Sequence, residues 1–269
     1  MKKKYLALFL AAAMGCSLLA GCGGNDGGTT TEPAGDDMIY AVEAGSAGEK
    51  VAADKGYDYN SVAAMADALM EVASGTSDAA IIDLLMADAM IGEGTSYPSL
   101  VTGEKLSTEE YGVACRKDSD LTEYINWVLS ETYADGTMQD IAETYKVAAA
   151  LVEQPEVEEP EIAADGDVAY IQDKGTLLVG ITEFAPMDYK EKGSDEWIGF
   201  DADMAKLVAE KLGVKVQFVV IDWDNKILEL DSKNVDVLWN GMTLTDEVTS
   251  AANCTNAYCN NAQVVVLPG

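Results

Sequence analysis

From residue 38 onward the chain alternates between short apolar runs and segments whose apolar residues recur at helical spacing. Leu177 to Ile181 is an apolar run bounded by glycine, the pattern of a strand buried on both faces. Met204, Leu207, Val208 and Leu212 fall on one face of a helix predicted over about Ala202 to Leu212, with Asp201 as its N-cap and Gly213 as its stop. Val214, Val216, Phe218 and Val220 alternate as a strand. A short helix (about Lys226 to Leu230) then leads to another strand at Val235 to Trp239. Strand, helix, strand, helix, strand is the unit of a parallel α/β sheet. Ligands of such sheets sit beyond the carboxyl ends of the strands. Here those ends carry Thr182-Glu183-Phe184, Asp222-Trp223 and Asn240-Gly241-Met242-Thr243, an aromatic and hydrogen-bonding set suited to a small polar organic molecule.

A second unit of the same kind occupies residues 38–100. Ile39 to Val42 reads as a strand ending at Glu43-Ala44-Gly45-Ser46, followed by a helix over Ala47 to Lys55. Ser61 is expected to cap a helix bearing Val62, Met65, Leu69 and Val72, closed by Gly75. Asp78 to Asp83 is a strand and Leu84 to Ile91 a helix. In residues 101–151, Glu110 to Ala114 reads as a strand. Ser119 opens an amphipathic helix with Leu121, Ile125, Val128 and Leu129, and a last helix carries Met138, Ile141 and Tyr145. Residues 152–167 hold Pro155 and Pro160 among many glutamates and read as an acidic linker too poor in apolar residues to pack.

The amino terminus has a different pattern. Lys2, Lys3 and Lys4 precede an apolar core from Tyr5 to Ala20, too short for a comfortable membrane span. Leu19-Ala20-Gly21-Cys22 is a lipobox-like cleavage site, so residues 1–21 read as a lipoprotein signal peptide. Cys22 is the expected lipid anchor to the outer face of a bacterial membrane. Residues 22–37, rich in glycine, threonine and acid, read as a flexible tether.

Composition narrows the function. Hydrophobic residues make up 48% of 269, enough for one large or two smaller cores. The formal charge of -30 repels nucleic acid and anionic lipid, so nucleic-acid binding is excluded. Histidine is absent and no CxxC pair exists, so neither a zinc site nor a cofactor is expected. With Cys16 and Cys22 assigned to the leader and the anchor, Cys115, Cys254 and Cys259 are expected as buried free thiols, a Cys254–Cys259 disulfide being the alternative.

The motifs LLVGITEFAPMDY, WIGFDADMAKLVAEKLG, VDVLWNGMTLT and NAYCNNAQVVV together resemble the first lobe of the polar amino-acid-type (family 3) solute-binding proteins of ABC importers. AVEAGSAGE and DAAIID resemble the ligand-facing motifs of that family's second lobe. The resemblance implies a two-lobed periplasmic-binding-protein-like fold of type II, each lobe a mixed, mostly parallel sheet flanked by helices. It also implies capture of an amino acid or related amine by lobe closure, and delivery to a membrane permease by a monomeric receptor. In the family the first-lobe core comes first. Here the second lobe (38–100) and the return to the first lobe (101–151) precede the first-lobe core (168–269), so a circular permutation is expected. The break between Gly269 and Met38 is then expected at one of two inter-lobe crossings, leaving a single covalent crossing and a weaker grip on the ligand.

The resemblance also assigns the site. Asp83 stands where the family pairs a carboxylate with the ligand's α-ammonium. Gly45 and Ser46 precede a helix whose N–H groups suit a carboxylate, although plain N-capping by Ser46 explains the same residues. Thr243 and the Gly241 backbone match carboxylate-binding positions, flanked by Asn240 and Met242. Trp223 and Phe184 match or adjoin the aromatic walls of the cleft. Glu183 and Asp222 are further acids in its neighbourhood. The family's carboxylate-clamping arginine is replaced by Val248, and Arg116, the only arginine in the chain, is expected at the surface. Two other classes remain open: a dehydratase-like enzyme on the same fold, and a partner that presents a ligand to a sensor.

Overall fold

The computed structural model describes residues 38–269; the expected signal peptide, Cys22 and the tether lie outside the described residues. In chain order the first elements are β1 (Ile39–Glu43), α1 (Ala47–Lys55), β2 (Asp58–Val62), α2 (Met65–Ser74), β3 (Ala79–Asp83), α3 (Leu84–Met90) and β4 (Leu100–Lys105). There follow β5 (Glu109–Cys115), α4 (Leu121–Asp135), α5 (Thr137–Thr144), α6 (Asp167–Lys174), β6 (Thr176–Ile181), α7 (Phe200–Leu212) and β7 (Lys215–Val220). The chain closes with α8 (Lys226–Asp231), β8 (Val237–Thr243), α9 (Asp246–Ala251), β9 (Asn253–Cys254), β10 (Cys259–Asn261) and β11 (Gln263–Pro268).

The strands form two mixed sheets. One has the order β2-β1-β3-β11-β4, with β1, β2 and β3 parallel and β11 antiparallel to both of its neighbours. The other has the order β10-β5-β8-β6-β7, with β9 added beside β5. In it β6 runs parallel to β7 and β8, and β5 antiparallel to β8. Every residue of β3 is buried, as is β8 up to Met242, because helices cover both faces of these central strands. Tyr40, Val42, Ile81 and Val265 pack on one face of the five-stranded sheet, and Leu69, Ile82, Val264 and Val266 on the other.

Two strands stand apart from the expected domain limits. β11 closes the segment expected as first-lobe core (168–269), yet it pairs with β3 and β4 in the five-stranded sheet. β4 likewise belongs to that sheet, although residues 101–151 were expected in the other lobe. The chain therefore passes between the sheets twice without a break, once at residues 106–108 and once at Ala262. The expectation of one covalent crossing is corrected on this ground: β1 and β11, the first and last strands of the described residues, lie in the same sheet. Extending the registers places both Pro268 and Ile39 level with Asp78, on opposite sides of β3. Two strand spacings separate them, about 10 Å.

Several local expectations also change. Asp201 is not the N-cap of α7. Gly199 holds that position, and buried Asp201 accepts hydrogen bonds from the Gly241 N–H (2.6 Å) and the Tyr258 hydroxyl (2.8 Å). Ser61 lies in β2 rather than at a helix start, since main-chain pairing with β1 overrides its capping preference. The acidic linker ends before Asp167, where α6 begins. It is tied down by Val152 N–H to the Tyr258 carbonyl (2.9 Å), Gln154 Nε2 to the Ala257 carbonyl (2.8 Å) and Val157 N–H to Ser130 Oγ (3.0 Å). Arg116 is buried rather than at the surface. Its guanidinium meets Asp167 (3.1 Å), the Val235 carbonyl (2.9 Å) and Asp236 (3.4 Å), and Lys174 holds the other Asp236 oxygen at 2.6 Å. Cys115, Cys254 and Cys259 are all free thiols.

Candidate functional site

The carboxyl ends of the two sheets face each other across a cleft. From the five-stranded lobe come Glu43 at the end of β1, Gly45 and Ser46 in the turn into α1, Met65 on α2 and Asp83 at the end of β3. From the six-stranded lobe come Phe184, Trp223, Lys226 and the β8 residues Asn240, Gly241, Met242 and Thr243, with Thr245, Glu247 and Val248 at the start of α9. About 550 Å³ of space between them is free of protein atoms, part of it open to solvent. Only about 50 Å³ of it has room for the centre of a water-sized sphere, below the range of ligand pockets, so the two lobes stand close together.

All nine residues singled out for ligand contact line this one cleft. Glu183 and Asp222 do not. Glu183 borders a separate groove beside Tyr189 and Met90, and Asp222 caps the Trp223–Asn225 turn. Glu43, Met65, Lys226, Thr245 and Glu247 were not anticipated. A lone acid at the end of an apolar run, and a lysine just past Trp223, were the signals available for the first and third of these.

The side chains differ in how far they are already committed. Asn240 is fully engaged: its Oδ1 accepts from the Thr182 N–H (2.9 Å) and hydroxyl (2.8 Å), and its Nδ2 donates to the Thr182 carbonyl (3.0 Å) and Asp188 (2.8 Å). It positions β8 and has no hydrogen-bonding capacity left. Ser46 caps α1 by accepting from the Glu49 N–H (3.1 Å), and Glu49 in turn accepts from the Gly45 N–H (2.7 Å), so part of the expected carboxylate cradle is already filled. Asp83 is buried and accepts through one oxygen from both Asn261 and Gln263 Nε2, the latter at 2.5 Å. Glu109 accepts from Thr243 Oγ1 (3.0 Å) and Gln263 Nε2 (2.9 Å). Burial, with the Glu109 charge added, pushes the Asp83 carboxyl well above the usual carboxylate range.

The lobes touch at the rim of the cleft. A β-carbon on Gly45 would lie 2.6 Å from Asp224 Cα, and Gly45 has φ +70, so only glycine fits. Lys226 spans the same gap, donating to the Gly45 carbonyl (2.7 Å) and to the Trp223 carbonyl (3.3 Å), with its ammonium over the Trp223 ring. Burial lowers its pKa. Among the described residues no group of three or more histidine, cysteine, aspartate or glutamate side chains could hold a metal ion, and no helix is long and apolar enough to cross a membrane.

Two α/β lobes joined by two strand crossings, with a polar and aromatic cleft between them, have the architecture of the periplasmic-binding-protein-like fold of type II. Residues 177–269 match the model of the bacterial extracellular solute-binding proteins, family 3. The L-cystine-binding protein TcyA of Bacillus subtilis (strain 168) is 37% identical over 107 residues, covering 39% of this chain and 39% of that protein. Among solved structures, the ancestral cationic amino acid solute binding protein AncCDT-1 shares 38% identity over 32% of this chain and 37% of that one, with a TM-score of 0.30. The arginine-bound domain 1 from TmArgBP shares 30% identity over 37% of this chain and 84% of that one, with a TM-score of 0.29. The chain spans less than half the length of the curated relatives it matches. Those relatives are named as binding proteins rather than enzymes.

Proposed function

We propose that this chain is a surface receptor, tethered through a lipid on Cys22, which captures an amino acid or related amine-bearing solute and passes it to an ABC permease. The observation that carries the reading is Asp83. It is a buried carboxylate at a strand end, lining the cleft together with Thr243, Trp223 and Phe184 of the opposite lobe. A carboxylate in such a place is stabilised by an ammonium, and shielding from water strengthens that bond. The solute favours lobe closure by binding the closed form better than the open one. With Val248 where a guanidinium would clamp a carboxylate, the N–H groups at the start of α1 are left to hold that end of the ligand, since the Gly241 N–H is spent on Asp201 and the Thr243 hydroxyl on Glu109.

The chain order is part of the proposal. In this reading the motifs of the family's first-lobe core follow those of its second lobe through the acidic segment around 152–166, a circular permutation that is helped by Ile39 and Pro268 lying about 10 Å apart at one end of a single sheet. A thermal-shift screen of amino acids and amines on the mature protein tests the capture reading, because a binder stabilises the folded form by mass action. A shift that disappears in Asp83→Ala supports the ammonium contact. A shift that persists undiminished removes Asp83 from the site.

A further inference from the structure

Among the described residues two lysines line the cleft, and their surroundings differ. Lys50 is exposed and pairs with Asp54 at 2.8 Å. Lys226 is 9% exposed and takes part in no ion pair among the described residues. It opens α8 on the six-stranded lobe, and its side chain reaches across to the five-stranded lobe, where it donates to the Gly45 carbonyl at 2.7 Å. A second hydrogen bond runs to the Trp223 carbonyl, and the ammonium stands 5.3 Å from the centre of the Trp223 ring, within cation–π reach. Four carboxylates bear on it, two from each lobe: Glu43 and Glu49 on one side, Asp224 and Glu247 on the other. Without a cation between them, these acids oppose the meeting of the lobes.

The lobes do meet there, with Gly45 packed against the Asp224 backbone. The group that spans the contact and supplies the positive charge belongs to the protein itself. Resting on the amine-capture reading, we propose that Lys226 is an internal competitor of the solute: its ammonium takes the place of a solute cation against Trp223 and latches the two lobes through the Gly45 carbonyl. A solute can enter only after this latch lets go. The apparent dissociation constant is then raised in proportion as the unlatched, binding-competent form is rare. A solute that carries a cation replaces the ammonium among the four acids, so the lobes can meet again around it. A lysine that instead held the solute directly would act with the opposite sign, so one substitution separates the two roles.

Lys226→Met keeps an aliphatic stem beside Trp223 and removes the charge. The mature wild type and this variant are compared by small-angle X-ray scattering without additive, and by calorimetry with L-arginine and L-norleucine as probes. The free variant is expected to have the larger radius of gyration, and to bind whichever probe the wild type binds at least about tenfold more tightly. The wild-type radius is expected to stay unchanged when a probe saturates it, an arm that needs no variant. A contraction there shows that the free wild type is open and overturns the proposal. Equal radii for the two free proteins overturn it, as does a variant that binds no more tightly than the wild type. If neither probe binds either protein, the amine-capture reading falls, and the radii of the free proteins still decide the role of Lys226.

Discussion

Replacing Glu43 by glutamine removes a titration that burial has displaced, and the effect on stability has a definite sign. Burial raises the Glu43 pKa from 4.5 to about 7, against smaller opposing effects of the Thr182 hydroxyl, Lys226 and the Met65 N–H, with Asp67 adding to the rise. Between those two values the folded protein holds a proton that the unfolded chain has released. Unfolding therefore gives up protons, and stability falls as pH rises through the window. The full shift corresponds to about 3 kcal/mol, all of it lost by about pH 7.5. Glutamine is nearly isosteric with the protonated acid and does not titrate. Below pH 4.5 the two proteins should be close in stability, and by pH 7.5 Glu43→Gln should be the more stable by up to about 3 kcal/mol. The adjacent Asp83 is itself pushed up partly by the Glu43 charge, so its relief adds to the difference with the same sign. Urea unfolding of both proteins in parallel at half-unit intervals from pH 4.5 to 8 measures it. Two curves that stay parallel across the window would refute the burial argument.

Three further outcomes follow from the geometry. Gly45→Ala should weaken binding of any cleft ligand at least tenfold, because its β-carbon collides with Asp224 only when the lobes meet, and the left-handed backbone adds about 1 kcal/mol of strain; calorimetry with the best amine ligand checks it. Arg116→Met should cost about 3–5 kcal/mol in urea unfolding, since it leaves buried Asp236 with Lys174 and the Leu178 N–H alone and Asp167 without its guanidinium. Rejoining Gly269 to Met38 through a short linker and opening the chain near Glu158 should leave ligand affinity within about twofold, because both crossings are already continuous in the present order; a tenfold gain would restore the single-crossing expectation and show that the present order loosens closure.

Periodic segments were readable because their pattern is local. Val179 and Ile181, or Met204 and Val208, declare a strand and a helix without help from the rest of the chain. β2 was not readable: Asp58-Tyr59-Asn60-Ser61-Val62 is mostly exposed, and only pairing with β1 makes it a strand. β11 was visible as an apolar run, but its lobe was not, since its partners β3 and β4 lie far away in the sequence. The nine cleft residues came from motifs of residue type and order. Glu43 lies inside AVEAGSAGE without being singled out, Lys226 lies outside every motif, and the surroundings of both depend on burial and on which groups lie within reach. Arg116 looked solvent-facing because nothing local marks Asp167 and Asp236 as its partners.

The hydrogen bonds around the two crossings tie the cleft to the connection between the lobes. Asp83 is held by Asn261 and Gln263, the two residues flanking the crossing at Ala262. Gln263 and Thr243 also donate to Glu109, the first residue of β5 after the other crossing. A ligand that draws on Asp83 or Thr243 therefore acts on hydrogen bonds that span both crossings at once. This cluster sits at the carboxyl end of β3, where Asp83 pairs with Gln263. Ile39 and Pro268 lie level with the opposite end of the same strand, five residues away along β11, or about 16 Å. The hydrogen bonds that couple the cleft to the two crossings therefore all lie at the cleft end of the sheet, and none involves the residues at its far end.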